Sequence, residues 1–182
     1  EPDGDLLDRC RAGANPAAFE ALVRRHGRMV LRTCRTVTRC EADAEDAFQT
    51  TFVLLCRKAA SVRDRRSLAG WLFRVARRSA GNARRAVDRR DRREAALNHR
   101  TTENPADLSW REACAALHAE IDRLPEAYRL PLVLCYLQGL SRDQTAHRLG
   151  WSLNEVRGRL ERARSRLRAR CQNRGITLPA GL

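Results

Sequence analysis

Ser141-Arg142-Asp143-Gln144-Thr145-Ala146-His147-Arg148-Leu149-Gly150-Trp151-Ser152-Leu153-Asn154-Glu155-Val156-Arg157-Gly158-Arg159-Leu160-Glu161-Arg162-Ala163-Arg164 decides the fold. Ser141 suits an N-cap, because a serine hydroxyl accepts a backbone N–H that the first helical turn leaves unpaired. Thr145, Ala146 and Leu149 then recur at helical spacing, and Gly150 supplies the turn residue. Ser152 caps a second helix, with Leu153, Val156, Leu160, Ala163 and Leu167 on one stripe. The other face carries Asn154, Arg157, Arg159, Arg162, Arg164 and Arg166, and seven arginines oppose two acids from Glu155 to Arg170. A helix, a short glycine-containing turn and a basic helix make a helix-turn-helix, whose second helix enters the DNA major groove. Asn154 and Arg157 stand where base edges are read. Arg159 and Arg162, further on, stand where phosphates are gripped, and Ser141, Arg142 and Ser152 are further candidate DNA contacts of the same unit.

Upstream, the same half begins near residue 109. A helix from Trp110 to Leu124 carries Cys114, Leu117 and Ile121 inside. A second, Glu126 to Gln138, carries Tyr128, Leu132, Val133, Cys135 and Tyr136 and ends at Gly139. Pro131 falls within it, so either the helix kinks there or it begins later. Residues 87–108 read as a flexible linker, because Asp88-Arg89-Arg90-Asp91-Arg92-Arg93 has no apolar partner to offset ordering entropy.

Residues 5–86 make the other half. A short helix, Asp5 to Ala12, precedes a long one from Pro16 to Thr38 with Asn15 as N-cap. A third runs from about residue 42 to 60, and its first turn is acidic. Asp43, Glu45 and Asp46 there suit the positive end of a helix dipole. A polar break, Ser61-Val62-Arg63-Asp64-Arg65-Arg66-Ser67, leads to a helix from Leu68 to Arg85. Leu68, Trp71, Leu72, Val75 and Ala76 face in, and Arg74, Arg77, Arg78, Arg84 and Arg85 face out. The fold class is therefore all-α, with two small helical domains joined by a linker.

Composition agrees with this partner class. The 182 residues hold 36 basic and 22 acidic side chains, a net charge of +14, and Lys58 is the sole lysine. Such a surplus of guanidinium forks suits a polyanion. No stretch reaches the roughly 18 apolar residues of a membrane span. Glu1-Pro2-Asp3-Gly4-Asp5 lacks the pattern of a secretory leader, which predicts a cytoplasmic protein with no membrane contact of its own. The missing initiator Met predicts a trimmed start. The seven cysteines show no metal or redox spacing, and Cys34, Cys56, Cys114 and Cys135 read as small core residues. The four histidines share no cluster. No phosphate loop, metal set or nucleophile–base pair is legible, so neither catalytic residues nor cofactors are assigned.

With these segments in hand, the chain resembles the extracytoplasmic-function (ECF) sigma factors of bacterial RNA polymerase, group 4 of the sigma-70 superfamily. Asp43-Ala44-Glu45-Asp46-Ala47-Phe48-Gln49 resembles region 2.2. Gly70-Trp71-Leu72-Phe73-Arg74-Val75-Ala76-Arg77 resembles the junction of regions 2.3 and 2.4. Leu124-Pro125-Glu126-Ala127-Tyr128-Arg129 resembles the start of region 4, and Val156 to Arg164 resembles the minus-thirty-five recognition helix. The resemblance implies that Asp43, Glu45, Asp46 and Gln49 dock on core RNA polymerase, besides capping their helix. It implies that Ser61, Val62, Arg63, Asp64 and Arg65 receive an extruded minus-ten base, and that Arg74, Arg77, Arg78, Asn82 and Arg85 hold the adjoining DNA. An anti-sigma factor is a further implied partner. Trp71 suits either a melting wedge or the core, and its phase with Leu68 and Leu72 favours the core. Arg78, Asn154-Glu155 and Gly158 depart from common family residues, so no promoter sequence is carried over. Two other classes stand beside this one. A stand-alone helix-turn-helix regulator needs neither the acidic helix near Asp46 nor the basic helix near Arg78. An enzyme acting on nucleic acid needs a catalytic set that the sequence does not offer.

Overall fold

The computed structural model describes residues 1–13, 15–59, 62, 65–95 and 105–174. Helix α1 (Asp3–Gly13) leads into α2 (Pro16–Val37). The Asn15 side chain accepts from the Ala18 N–H at 3.0 Å, and Pro16 occupies the first turn, where its missing N–H costs nothing. Leu22, Met29, Val30 and Cys34 form the buried stripe of α2. Helix α3 (Glu41–Lys58) turns Ala44, Ala47, Thr51, Phe52 and Leu55 inward. The Phe52 ring meets Phe19 edge-on at 6.1 Å. Helix α4 (Leu68–Ala95) closes this bundle with Leu68, Leu72, Phe73, Ala76 and Ala80, all sealed from water. Burial pushes the Cys34 thiol up to about 12, which keeps it a protonated apolar filler. Cys56 departs from the expected core role and lies exposed on α3.

Helix α4 does not stop near Arg85, and this corrects the expected linker over 87–108. Ten further residues stay helical because the two acids of the charge run find a cation. Arg39, just beyond α2, pairs with Asp88 and with Asp91, each at 3.2 Å. Helix α5 (Pro105–Asp122) likewise begins before residue 109. Residues 96–104 lie outside the described residues.

The second half continues with α6 (Glu126–Leu132), α7 (Arg142–Leu149) and α8 (Leu153–Gln172). The later start is overturned: the helix starts at Glu126, contains Pro131, and widens directly after it into a π-helical turn, Val133–Leu137. Pro131 has no N–H to tie the preceding turn, and the wider spacing appears where Gln138 N–H reaches Val133 C=O at 2.9 Å. Gly139, at φ 79°, ends the segment.

The halves also pack on each other. Gly70 of α4 is the point of closest approach, since a Cβ there would lie 2.7 Å from Leu130 Cδ2 of α6. His118 of α5 stacks on Phe73 with ring centroids 5.6 Å apart. A buried polar clasp binds the chain's beginning to both halves. The Asp3 carboxylate, 8% exposed, accepts from Arg25 at 2.5 Å, pairs with His26 Nε2 at 2.9 Å and also meets Arg148 of α7. His26 Nδ1 in turn faces Gln138 Nε2 at 2.9 Å. Burial alone raises the Asp3 pKa, but hydrogen bonding to His26 and Arg25 and the charges of His26 and Arg148 outweigh it and hold the group well below the usual carboxylate range.

His118 titrates at lower pH than an ordinary exposed histidine. Burial first, then the charges of Arg32 and Arg77, push it down from 6.5 to about 4. The unfolded chain therefore takes up the proton before the folded chain does. Stability is complete above pH 6.5 and falls by up to about 3 kcal/mol as pH drops towards 4. Urea unfolding at pH 7 and pH 5 should show about 2 kcal/mol of this loss, and His118→Leu should flatten it. An equal loss in the variant would assign the acid sensitivity elsewhere.

Candidate nucleic-acid interface

The helix-turn-helix is fixed by two reciprocal caps. Ser141 Oγ accepts from the Gln144 N–H at 3.1 Å, and Gln144 Oε1 accepts from the Ser141 N–H at 2.9 Å. Ser152 Oγ accepts from the Glu155 N–H at 3.2 Å, and Glu155 Oε2 accepts from the Ser152 N–H at 2.8 Å. Each capping box pairs two backbone donors that a helix start otherwise leaves open. Between them Gly150 adopts φ 67°, a left-handed conformation that suits glycine, and Trp151 N–H returns to Ala146 C=O at 3.0 Å. Helix α8 buries Val156, Leu160, Ala163 and Leu167 against the half's core. Asn154 and Arg157 are thereby exposed in its first turns, and Arg162 lies exposed further along.

The arginines of α8 divide into two groups that the sequence does not separate. Arg159 lies half-buried, its guanidinium 3.9 Å from the Trp151 ring centroid and 3.4 Å from Glu155. Arg164 stacks at 5.2 Å over Tyr136 and donates to its hydroxyl, and Arg166 lies 4.5 Å over Tyr128. These three hold aromatic faces of their own domain. Arg157 and Arg162 have no such ring or acidic partner among the described residues. Ser141 and Ser152 spend their hydroxyls on caps, while Arg142 is exposed at the start of α7.

In the first half, α3 presents Glu45, Asp46 and Gln49 exposed on its outer side, with Asp43 half-buried in its first turn. The loop expected to take a base is only partly described. Ser61, Arg63 and Asp64 lie outside the described residues, and Arg65 opens a short 3-10 turn, Arg65–Ser67. Val62 is corrected: at 7% exposed it packs into the core and offers no contact surface. The α4 residues also part into two sets. Arg77 donates to Asp122 Oδ2 of α5 at 3.1 and 3.2 Å, and Arg74 lies 3.4 Å from the same carboxylate. Arg78, Asn82 and Arg85 face solvent, where Arg85 donates to Asn82. Trp71 is partly buried against the core, as its phase implies, whereas Trp110 of α5 is 62% exposed.

A capped helix-turn-helix in one half, with an acidic helix and a basic helix in the other, defines a two-domain DNA-binding protein of transcription. Known proteins fix the family. Residues 22–90 match the model of Sigma-70 region 2, and residues 114–167 match that of Sigma-70 region 4. The ECF RNA polymerase sigma factor SigE of Mycolicibacterium smegmatis is 32% identical over 177 residues, covering 92% of this chain and 67% of that one. SigM of Mycobacterium tuberculosis is 34% identical over 171 residues, covering 91% and 82%. A solved structure of CnrH in complex with the cytosolic domain of CnrY aligns over 95% of this chain and 99% of that one, at 27% identity and a TM-score of 0.46. The chain belongs to the ECF sigma factors, the promoter-specificity subunits of RNA polymerase. Sigma factors recognise promoters and are not themselves catalytic, and the stand-alone regulator is not favoured. No described helix is long and apolar enough to cross a membrane.

The caps set the stability of the recognition helix. Ser152→Ala should cost about 1 kcal/mol and Ser152→Asp should restore most of it. Thermal unfolding of the three proteins checks this, and an unchanged Ser152→Ala would show that the cap adds nothing.

Proposed function

We propose a residue-level division of labour for this sigma factor. Asp43, Glu45, Asp46 and Gln49 dock on a basic surface of core RNA polymerase. Asn154 and Arg157 read base edges of the minus-thirty-five element, with Arg142 and Arg162 on the flanking phosphates. Arg159 supports the turn through Trp151 in place of the DNA contact expected of it. Arg78, Asn82 and Arg85 hold the minus-ten region, joined by Arg74 and Arg77 once Asp122 releases them. Ser61, Arg63, Asp64 and Arg65 receive the extruded minus-ten base, whose capture offsets an unstacking cost of a few kcal/mol, and Val62 anchors the segment to the core. An anti-sigma factor governs access to these surfaces, and the chain works in the cytoplasm beside the polymerase.

The observation that carries this reading is the first exposed turn of α8. A cap fixes its direction, an apolar stripe fixes its rotation, and Asn154 and Arg157 project with no competing partner among the described residues. An amphipathic surface helix needs none of that selectivity. Asp46 supports the docking half, since it lies exposed on α3 with no cation beside it among the described residues.

Pull-down against bacterial core polymerase and run-off transcription on promoter fragments test the proposal. Asp46→Arg should weaken core binding at least tenfold with the helical content intact. Full retention of core affinity would remove α3 from the docking surface. Arg157→Ala should weaken promoter binding by about 1–3 kcal/mol and relax preference at one base pair. Weaker binding with every preference intact would make Arg157 a phosphate contact instead.

A further inference from the structure

The extension of α4 beyond Arg85 carries a charge arrangement that the family's region 2 covers only in part. The region 2 match ends at residue 90, and the helix continues to Ala95. At about 100° per residue, Arg74, Arg78, Asn82, Arg85, Arg89, Arg92 and Arg93 fall within about 100° of arc, opposite the buried Leu72, Phe73 and Ala76. At about 1.5 Å per residue this stripe is about 28 Å long, the length of about eight base-pair steps of duplex.

A run of mixed charge is ordinarily a solvated face whose own acids neutralise it. Here the acids are taken elsewhere. Asp88 and Asp91 turn away from the stripe to Arg39, which ties the extension to the end of α2. Arg89, Arg92 and Arg93 are exposed and have no acidic partner among the described residues. The inner pairing holds the helix in place and leaves Arg89, Arg92 and Arg93 without an acid among the described residues.

We propose that this face is a sequence-independent rail for duplex DNA, and that Arg89, Arg92 and Arg93 bind backbone phosphates of the spacer between the two promoter elements. The proposal rests on the sigma reading above. Its place follows from continuity. The stripe begins among the residues assigned to the minus-ten region, and the chain beyond it leads to the half that holds the recognition helix. DNA joining the two elements must pass between those halves. Arginine without a neighbouring base-reading polar group suits a phosphate oxygen, so the contact adds affinity and no preference.

The test uses the full chain bound to core polymerase and a promoter fragment that it transcribes. Affinity is measured across a salt series for the wild type, R89Q/R92Q/R93Q and R89K/R92K/R93K. Glutamine keeps helix propensity close to that of arginine, and circular dichroism checks the helical content. Each phosphate contact contributes about 0.9 to the slope of log affinity against log salt, so the glutamine variant should lower its magnitude by about 2–3. The lysine variant should keep the wild-type slope, and promoter preference should not change in either. An unchanged slope in the glutamine variant overturns the rail. So does a slope that drops equally in the lysine variant, which would mark a structural role. A wild-type chain without specific promoter binding would defeat the sigma reading instead, and that outcome is visible before any variant is compared.

Discussion

Helix α4 can bury only one face, and the rest of the architecture is arranged around which face that is. Leu68, Leu72, Phe73, Ala76 and Ala80 lock its rotation against α2 and α3. Gly70 then fixes how closely α6 approaches, because any side chain there would collide with Leu130. With rotation and approach set, the arginines have no freedom over where they point. Arg74 and Arg77 meet the second half, and Arg78 and Arg85 meet solvent. Burial of a few apolar residues thus determines the electrostatics of the whole first half.

Local features were legible in the sequence because they are encoded within a few residues. Asn15-Pro16, Ser141, Gly150 and Ser152 each settle their own geometry, and the helix-turn-helix is visible from them alone. The features that escaped depend on long separations. Arg39 meets Asp91 across 52 residues, His26 meets Gln138 across 112, and Arg148 meets Asp3 across 145. No periodicity reports such pairs. Reading residues 87–108 as a linker followed from counting apolar side chains, and it failed over 87–95 because an ion pair ordered the chain there.

The candidate site shows the same limit. Charge count marked α8 as DNA-facing, yet Arg159, Arg164 and Arg166 lie over Trp151, Tyr136 and Tyr128. A guanidinium on a ring contributes roughly 0.5–1 kcal/mol at an exposed site. That is comparable with what a single solvated phosphate contact offers, so aromatic neighbours redirect arginines that composition alone assigns to nucleic acid. Tyr128 in α6, Tyr136 in the π-helical turn and Trp151 before α8 were the available signal, and it becomes readable only once these segments are known to pack on α8.

Asp122 gives the molecule a built-in exchange. Its carboxylate already neutralises Arg74 and Arg77 from the opposite half. A phosphate that claims those guanidinium groups must displace an anion the protein itself supplies, so holding DNA there and holding the halves together draw on the same two cations. If Arg74 and Arg77 take DNA as proposed, thermodynamic reciprocity requires that whatever parts the halves strengthens their grip on it, and that DNA held by them favours parting by the same factor.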